Sequence, residues 1–245
     1  MTTLRFMILL WTSFLFSESV FATEYKLLQS FPVDVEEPSG LTYDPQTDTL
    51  WTVQDGGGGL CQLDTHGKVI NTIDIPSNDL EGIAYKPGSD TFLLAEERNR
   101  EILEVDRQGT IIQAIMVPIK WRLWHLNYGI EGVSYFPKSR HIFIVNEKGP
   151  RVLMELNEGG AVVQSFEVEG VEDLSGIYCN DASGDLLIIS HESKKVMELT
   201  SEGRLISSFA IDIPQAEGIT KDGSGNIYII CENSKTLYIY APVEK

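Results

Sequence analysis

Leu80-Glu81-Gly82-Ile83-Ala84-Tyr85 decides the fold, because it recurs along the chain. Its counterparts are Pro38-Ser39-Gly40-Leu41-Thr42-Tyr43, Ile130-Glu131-Gly132-Val133-Ser134-Tyr135, Leu174-Ser175-Gly176-Ile177-Tyr178 and Ala216-Glu217-Gly218-Ile219-Thr220. The five glycines are spaced by 42, 50, 44 and 42 residues. A period of roughly 40 to 50 residues with several strands in each repeat is the signature of propeller blades. The repeated glycine has a physical reason: the first strand of each blade lines a crowded central axis, where backbone must approach backbone.

Each repeat follows one script. A turn such as Asp44-Pro45, Lys86-Pro87-Gly88 or Asp222-Gly223 comes first, then an apolar strand such as Phe92-Leu93-Leu94-Ala95 or Leu186-Leu187-Ile188-Ile189. An acid closes that strand: Asp55, Glu96 or Glu97, Glu147, Glu192 and Glu232. A third strand alternates apolar and polar residues, as in Val196-Met197-Glu198-Leu199, the period of two expected of a sheet. A glycine-containing hairpin at Gly67, Gly109, Gly159-Gly160 or Gly203 leads into a fourth strand. The fifth repeat ends without that strand. Lys26-Leu27-Leu28-Gln29-Ser30-Phe31-Pro32-Val33 parallels Ala161-Val162-Val163-Gln164-Ser165-Phe166-Glu167-Val168, so the N-terminal strand is expected to complete the last blade. The expectation is an all-β, five-bladed propeller of four-stranded antiparallel blades over residues 23–245. A six-bladed ring is the alternative, its extra blade falling in the long second interval around Pro118–Tyr128, which is short for one.

The chain has 245 residues, 42% of them hydrophobic, enough to bury a core without disulfide staples. Its net charge is −17, from 36 acids against 19 Lys and Arg. Such a surface repels phosphate backbones, which argues against nucleic acid as a partner. Cys61, Cys179 and Cys231 form no CxxC pair and lie in or beside apolar runs, so they read as buried thiols. Arg5, the apolar run Phe6–Phe16 and Val20-Phe21-Ala22 form a secretory signal pattern over residues 1–22, with cleavage expected after Ala22. The protein is therefore expected to be exported, periplasmic or secreted. The alternative is an uncleaved N-terminal anchor in the inner membrane.

The repeated starts Ser39-Gly40-Leu41 and Glu81-Gly82-Ile83, the acids after the second strands and the leader together resemble the SdiA-regulated (YjiK-like) protein family. The resemblance covers about residues 24–243. It implies a periplasmic or membrane-associated propeller, with kinship to propellers that hold calcium at the top of the central channel.

Repetition turns sequence position into geometry. Ser39, Glu81, Glu131, Ser175 and Glu217 precede the five glycines and should ring one mouth of the channel. Carboxylates confined there repel one another, and a hard cation with oxygen ligands relieves the repulsion. Glu81, Glu131 and Glu217 are thus the candidate ligands of Ca²⁺ or Mg²⁺. Glu97, Asn146, Glu147, Ser39 and Ser175 are possible supporting groups. The alternative is that the ring carboxylates bond to backbone N–H groups of neighbouring blades.

Trp121, Arg122, Trp124 and His125 form an aromatic and basic cluster in the insertion, readable as a ligand-binding anchor or as a packed lid. The chain contains no Gly-x-Ser-x-Gly, and its histidines are scattered, which favours a non-enzymatic module for a small molecule or an envelope protein. His191, at a blade mouth, and His125 are the candidate bases if the protein is instead a metal-dependent hydrolase of lactone or phosphate esters. A monomer is expected.

Overall fold

The structure, a computed structural model, describes residues 23–77, 79–118 and 129–243. The leader and the insertion residues Trp121, Arg122, Trp124 and His125 lie outside the described residues. Twenty strands run in chain order: β1 (Tyr25–Pro32); β2 (Pro38–Asp44), β3 (Thr49–Gln54), β4 (Gly59–Leu63) and β5 (Val69–Asp74); β6 (Leu80–Lys86), β7 (Thr91–Glu96), β8 (Glu101–Val105) and β9 (Ile111–Met116); β10 (Ile130–Phe136), β11 (His141–Asn146), β12 (Val152–Asn157) and β13 (Val162–Glu167); β14 (Gly176–Cys179), β15 (Leu186–Ser190), β16 (Lys195–Leu199) and β17 (Leu205–Ala210); β18 (Ala216–Lys221), β19 (Ile227–Cys231) and β20 (Thr236–Pro242). They form five four-stranded antiparallel sheets, four of them consecutive in sequence and the fifth ordered β1-β20-β19-β18. This is the five-bladed propeller, and among the described residues there is no sixth sheet. Closure occurs where Tyr25 faces Pro242 and Pro32 faces Thr236.

The glycines close the ring physically. A Cβ on Gly40 would lie 2.7 Å from the Gly82 Cα, and one on Gly82 would lie 2.9 Å from the Gly132 Cα. One on Gly132 would press on Ile177, one on Gly176 would strike the Glu217 carbonyl oxygen, and one on Gly218 would meet Gly40 and Leu41. Each inner strand therefore touches the next at a glycine, around the full circle. Outside this hub, the core consists of five apolar seams between neighbouring blades. Trp51, Leu60 and Val53 of the first blade pack on Phe92, Leu94 and Tyr85 of the second. Val33, Leu41 and Leu50 of the first pack on Tyr228, Ile230 and Leu237 of the last.

Hydroxyls stitch three of these seams. Thr42 Oγ1 accepts from the Tyr85 N–H at 3.0 Å, Ser134 Oγ from the Cys179 N–H at 2.8 Å, and Thr220 Oγ1 from the Tyr43 N–H at 3.0 Å. All three hydroxyls stand two residues after the repeat glycine. Ala84 and Tyr178 fill that place in the other two blades and supply no such stitch. The three cysteines are free and buried.

Candidate functional site at the channel mouth

The strand registers separate the two ends of the propeller. At one end, Leu80 faces Glu96, Glu96 faces Glu101 and Glu101 faces Met116; at the other, Tyr85, Phe92, Val105 and Ile111 share a level. The glutamates before the glycines belong to the first end. Each of them sits on a β-bulge. The pairing passes from Leu80 to Gly82, from Ile130 to Gly132 and from Ala216 to Gly218, leaving Glu81, Glu131 and Glu217 unpaired with the second strand. A bulge re-aims a side chain that regular pleating would send into a blade seam.

All three glutamates line one cavity of about 940 Å³ at this mouth. Asp55, Asp79, Glu97, Glu147 and Glu232 line it too, against Arg98, Arg100 and His191. Burial first, and the neighbouring carboxylates second, make these acids hard to ionise. Glu81 is pushed up to about 9, and Glu131 well above the usual range. Glu97 reaches about 7 and Asp55 about 6. Glu217 also reaches about 7, with His191 pulling it the other way. In the absence of a cation, the mouth therefore holds protons at neutral pH.

Asp55, Asp79 and Glu81 each offer a carboxylate oxygen within 4.8 Å of the others. The Glu97 Oε1 atom beside them is buried without a hydrogen-bond partner. An all-oxygen donor set with anionic charge fits a hard divalent cation such as Ca²⁺ or Mg²⁺, and it does not suit a soft metal.

The two serines of the ring are otherwise engaged. Ser39 Oγ donates to the Glu81 carbonyl at 2.7 Å and lies 2.9 Å from its Oε2, steadying that side chain. Ser175 Oγ donates to the Ala216 carbonyl at 2.7 Å and ties two blades together. Asn146 is buried outside the cavity lining, where its Nδ2 donates to the Lys148 and Pro150 carbonyls. Glu147 lies 3.1 Å from Lys148, which also bridges to Glu192 at 2.6 Å.

His191 lines the same cavity. Its Nδ1 lies 2.9 Å from Oδ2 of the fully buried Asp173 and 3.6 Å from Glu217 Oε1. The first contact brings a carboxylate oxygen within hydrogen-bond distance of the ring nitrogen. Asp173 is fixed by the Ser190 hydroxyl and by the Glu192 N–H. This carboxylate, followed by the Glu217 charge, raises the His191 pKa above its ordinary value.

Asp79 and Asp173 were not visible as site residues in the motif reading, although a signal existed. They stand three residues before the repeat glycine, where the other repeats have Glu37, Gly129 and Gln215. Gly129 is small where the Glu97 side chain passes: a Cβ there would collide with the Glu97 Cγ.

Residues 18–239 match the model of the SdiA-regulated family. The chain belongs to that family. In fold, this SdiA-regulated propeller is similar to selenomethionine-substituted virginiamycin B lyase from Staphylococcus aureus, with a TM-score of 0.54 and 19% identity over 84% of this chain. It spans 66% of that lyase's length, just under two thirds. A catalytically inactive histidine-to-alanine variant of the same lyase, with quinupristin, gives a TM-score of 0.53 at 19% identity and the same coverage. A streptogramin B lyase structure gives 0.56 at 11% identity, covering 89% of this chain and 98% of that one. At these identities the likeness shows the propeller fold alone.

Proposed function

We propose that this protein is an exported binding module of the cell envelope whose channel mouth takes up Ca²⁺ or Mg²⁺ and, through the bound cation, a small molecule with anionic or carbonyl oxygens. The convergence of Asp55, Asp79 and Glu81 carries this reading. Glu131 and Glu217, from the two flanking blades, line the same cavity. A cation displaces the protons these groups otherwise hold and leaves coordination positions for an oxygen-bearing ligand. The cavity is large enough for a metabolite-sized molecule.

Thermal unfolding in EDTA, then with added Ca²⁺ or Mg²⁺, tests the proposal, because a ligand specific to the folded state raises the midpoint with its concentration. The parent should respond and a Glu81→Gln/Asp79→Asn variant should not. A parent that responds to neither ion sinks the reading.

A second reading, a metal-dependent hydrolase or lyase, is favoured by one specific observation. His191 faces the acid mouth with the buried Asp173 behind it, the arrangement a general base requires. In this chemistry the cation would supply Lewis acidity, while His191 would accept or return a proton at a carbon or water next to it. Turnover of lactone and cyclic depsipeptide substrates by the parent, lost in His191→Ala while Ca²⁺ binding persists, would support it.

A further inference from the structure

The end of the propeller opposite the acid mouth holds a second cavity, of about 430 Å³, that the cation reading does not use. Between the two cavities the axis narrows at the five repeat glycines to a space of about 10 Å³, room for a single water. Thr42, Ala84, Ser134, Tyr178 and Thr220, two places after those glycines, line the inner end of the second cavity. Thr42, Ser134 and Thr220 are 9, 6 and 1% exposed. Each accepts an N–H from the neighbouring blade, and among the described residues none of the three donates a hydrogen bond. The N–H groups that correspond to those of Tyr85, Cys179 and Tyr43 in the remaining blades are those of Tyr135 and Lys221, and Ala84 and Tyr178 offer them no γ-oxygen. Tyr135 and Lys221 line the cavity too. Its floor therefore presents three hydroxyl protons and two backbone N–H groups without a protein acceptor. Buried donors in that condition are costly unless something fills the space and accepts from them.

The walls and rim narrow the choice of ligand. Tyr43, Tyr85 and Tyr135 line the cavity, but their hydroxyls are committed outside it, to Asp48 at 2.8 Å, Asp90 at 3.0 Å and Glu158 at 3.0 Å. What they bring to the wall is ring carbon, joined by Pro45 and Pro87. At the rim, the Asp181 carboxylate has no ion pair or hydrogen bond among the described residues. Asn180 Oδ1 is taken up by the Ala182 and Ser183 N–H groups, which leaves its amide hydrogens free. Lys221, the cationic residue of the lining, donates to the Tyr25 hydroxyl at 2.9 Å. An anion would thus meet Asp181 and Asp222 with no free cation to balance them, and a cation would meet a floor of proton donors. An apolar molecule would leave those donors unpaired. A neutral molecule rich in hydroxyls satisfies both ends, because each of its oxygens accepts from the floor and each of its protons can reach the rim carboxylate. Its C–H faces suit tyrosine and proline carbon, and the volume lies within the range of small-molecule sites.

We infer that this second cavity binds a monosaccharide or a comparable neutral polyol, with the Thr42, Ser134 and Thr220 hydroxyls donating to its oxygens and Asp181 accepting from its hydroxyls. The inference is independent of the cation reading, since the two cavities share no lining residue.

Saturation-transfer difference NMR on the full chain tests this, with D-glucose, D-galactose, D-mannose and D-ribose as the probes, each in EDTA and again with Ca²⁺. At least one sugar should receive transfer from the protein, equally in the two conditions. Asp181→Ala removes no side-chain hydrogen bond made within the described protein, so it should fold as the parent does and weaken that sugar's binding by at least about tenfold. Thr42→Val should weaken it similarly, and Thr42→Ser should restore it by returning the hydroxyl. Transfer to none of the four sugars overturns the inference. So does binding that survives both Asp181→Ala and Thr42→Val undiminished. Binding that appears only with Ca²⁺ would assign the sugar to the acid mouth and overturn it as well.

Discussion

Raising the pH of the metal-free protein from about 6 to about 8 should destabilise it, and the mouth glutamates set the size of the effect. Glu81 is held at about 9 in the folded protein against an ordinary value of 4.5, and burial raises Glu131 well above its ordinary range. A group raised on folding contributes stability that is fully present below its unfolded pKa and lost as pH climbs through its folded one. Between pH 6 and 8 the folded chain therefore keeps protons on Glu81 and Glu131 that the unfolded chain has released, with Glu97 and Glu217 adding to the difference at the lower end of the range. Linkage gives about 1.4 kcal/mol per pH unit for each proton, a ceiling near ~2.7 kcal/mol per unit for the pair. The cavity is open to water, and screening reduces that to about 1 kcal/mol per unit. For a domain of this size the midpoint should fall by ~2–4 °C per pH unit. Differential scanning calorimetry in EDTA across this range reads the slope directly. Saturating Ca²⁺ should flatten it, because the cation takes the place of the protons. Glu81→Gln should roughly halve the slope and raise the metal-free midpoint at pH 8. A metal-free midpoint that stays level from pH 6 to 8 would refute the reasoning, as would a Glu81→Gln variant with the parent's slope.

Other outcomes follow from the hub and the seams. Gly176→Ala sets a methyl against the Glu217 carbonyl and should cost about 1–3 kcal/mol in urea unfolding, whereas Gly223→Ala meets nothing within 4 Å and should fall within about 0.5 kcal/mol of the parent. Ser134→Ala leaves the buried Cys179 N–H without its acceptor and should cost about 1–3 kcal/mol by the same measurement. Asp173→Asn should bring the His191 pKa down towards the ordinary histidine value, as read by an NMR titration of the ring, because the adjacent Asp173 carboxylate, as a hydrogen-bond acceptor first, is the leading cause of its rise.

The ring was legible because one residue type repeats for one steric reason. Gly82 and its four counterparts are glycine where blade meets blade, so their spacing counts the blades. β1 was legible because Leu27-Leu28-Gln29-Ser30-Phe31 repeats the pattern of a fourth strand. The mouth was only partly so. Glu81, Glu131 and Glu217 stand next to the conserved-in-register glycine and inherit its position. Ser175 holds the same register but bonds to the backbone of the next blade, and Asn146 turns into its own loop. Equivalent position does not fix a rotamer or a partner. Asp79 and Asp173 lie in connecting segments where the five equivalent residues are of four types, Glu37, Asp79, Gly129, Asp173 and Gln215, so no letter common to the repeats marks them.

The closure of the last blade has a consequence for how the molecule comes to be. β1 is among the earliest parts of the fold to be synthesised, yet its partner β20 is the last strand made. Four blades can assemble from neighbouring sequence, but the ring stays open until the C-terminal strand is available, and its final step joins residues more than 200 positions apart. Such a contact is slow to form, and losing the last few residues would leave β1 with an unpaired edge. Because Tyr25 and Pro242 are already side by side, a short link between them would turn this distant closure into a local hairpin. Fresh termini opened at the Asp222–Gly225 turn would then give a permuted chain that keeps the same five blades and reaches them by a different folding order.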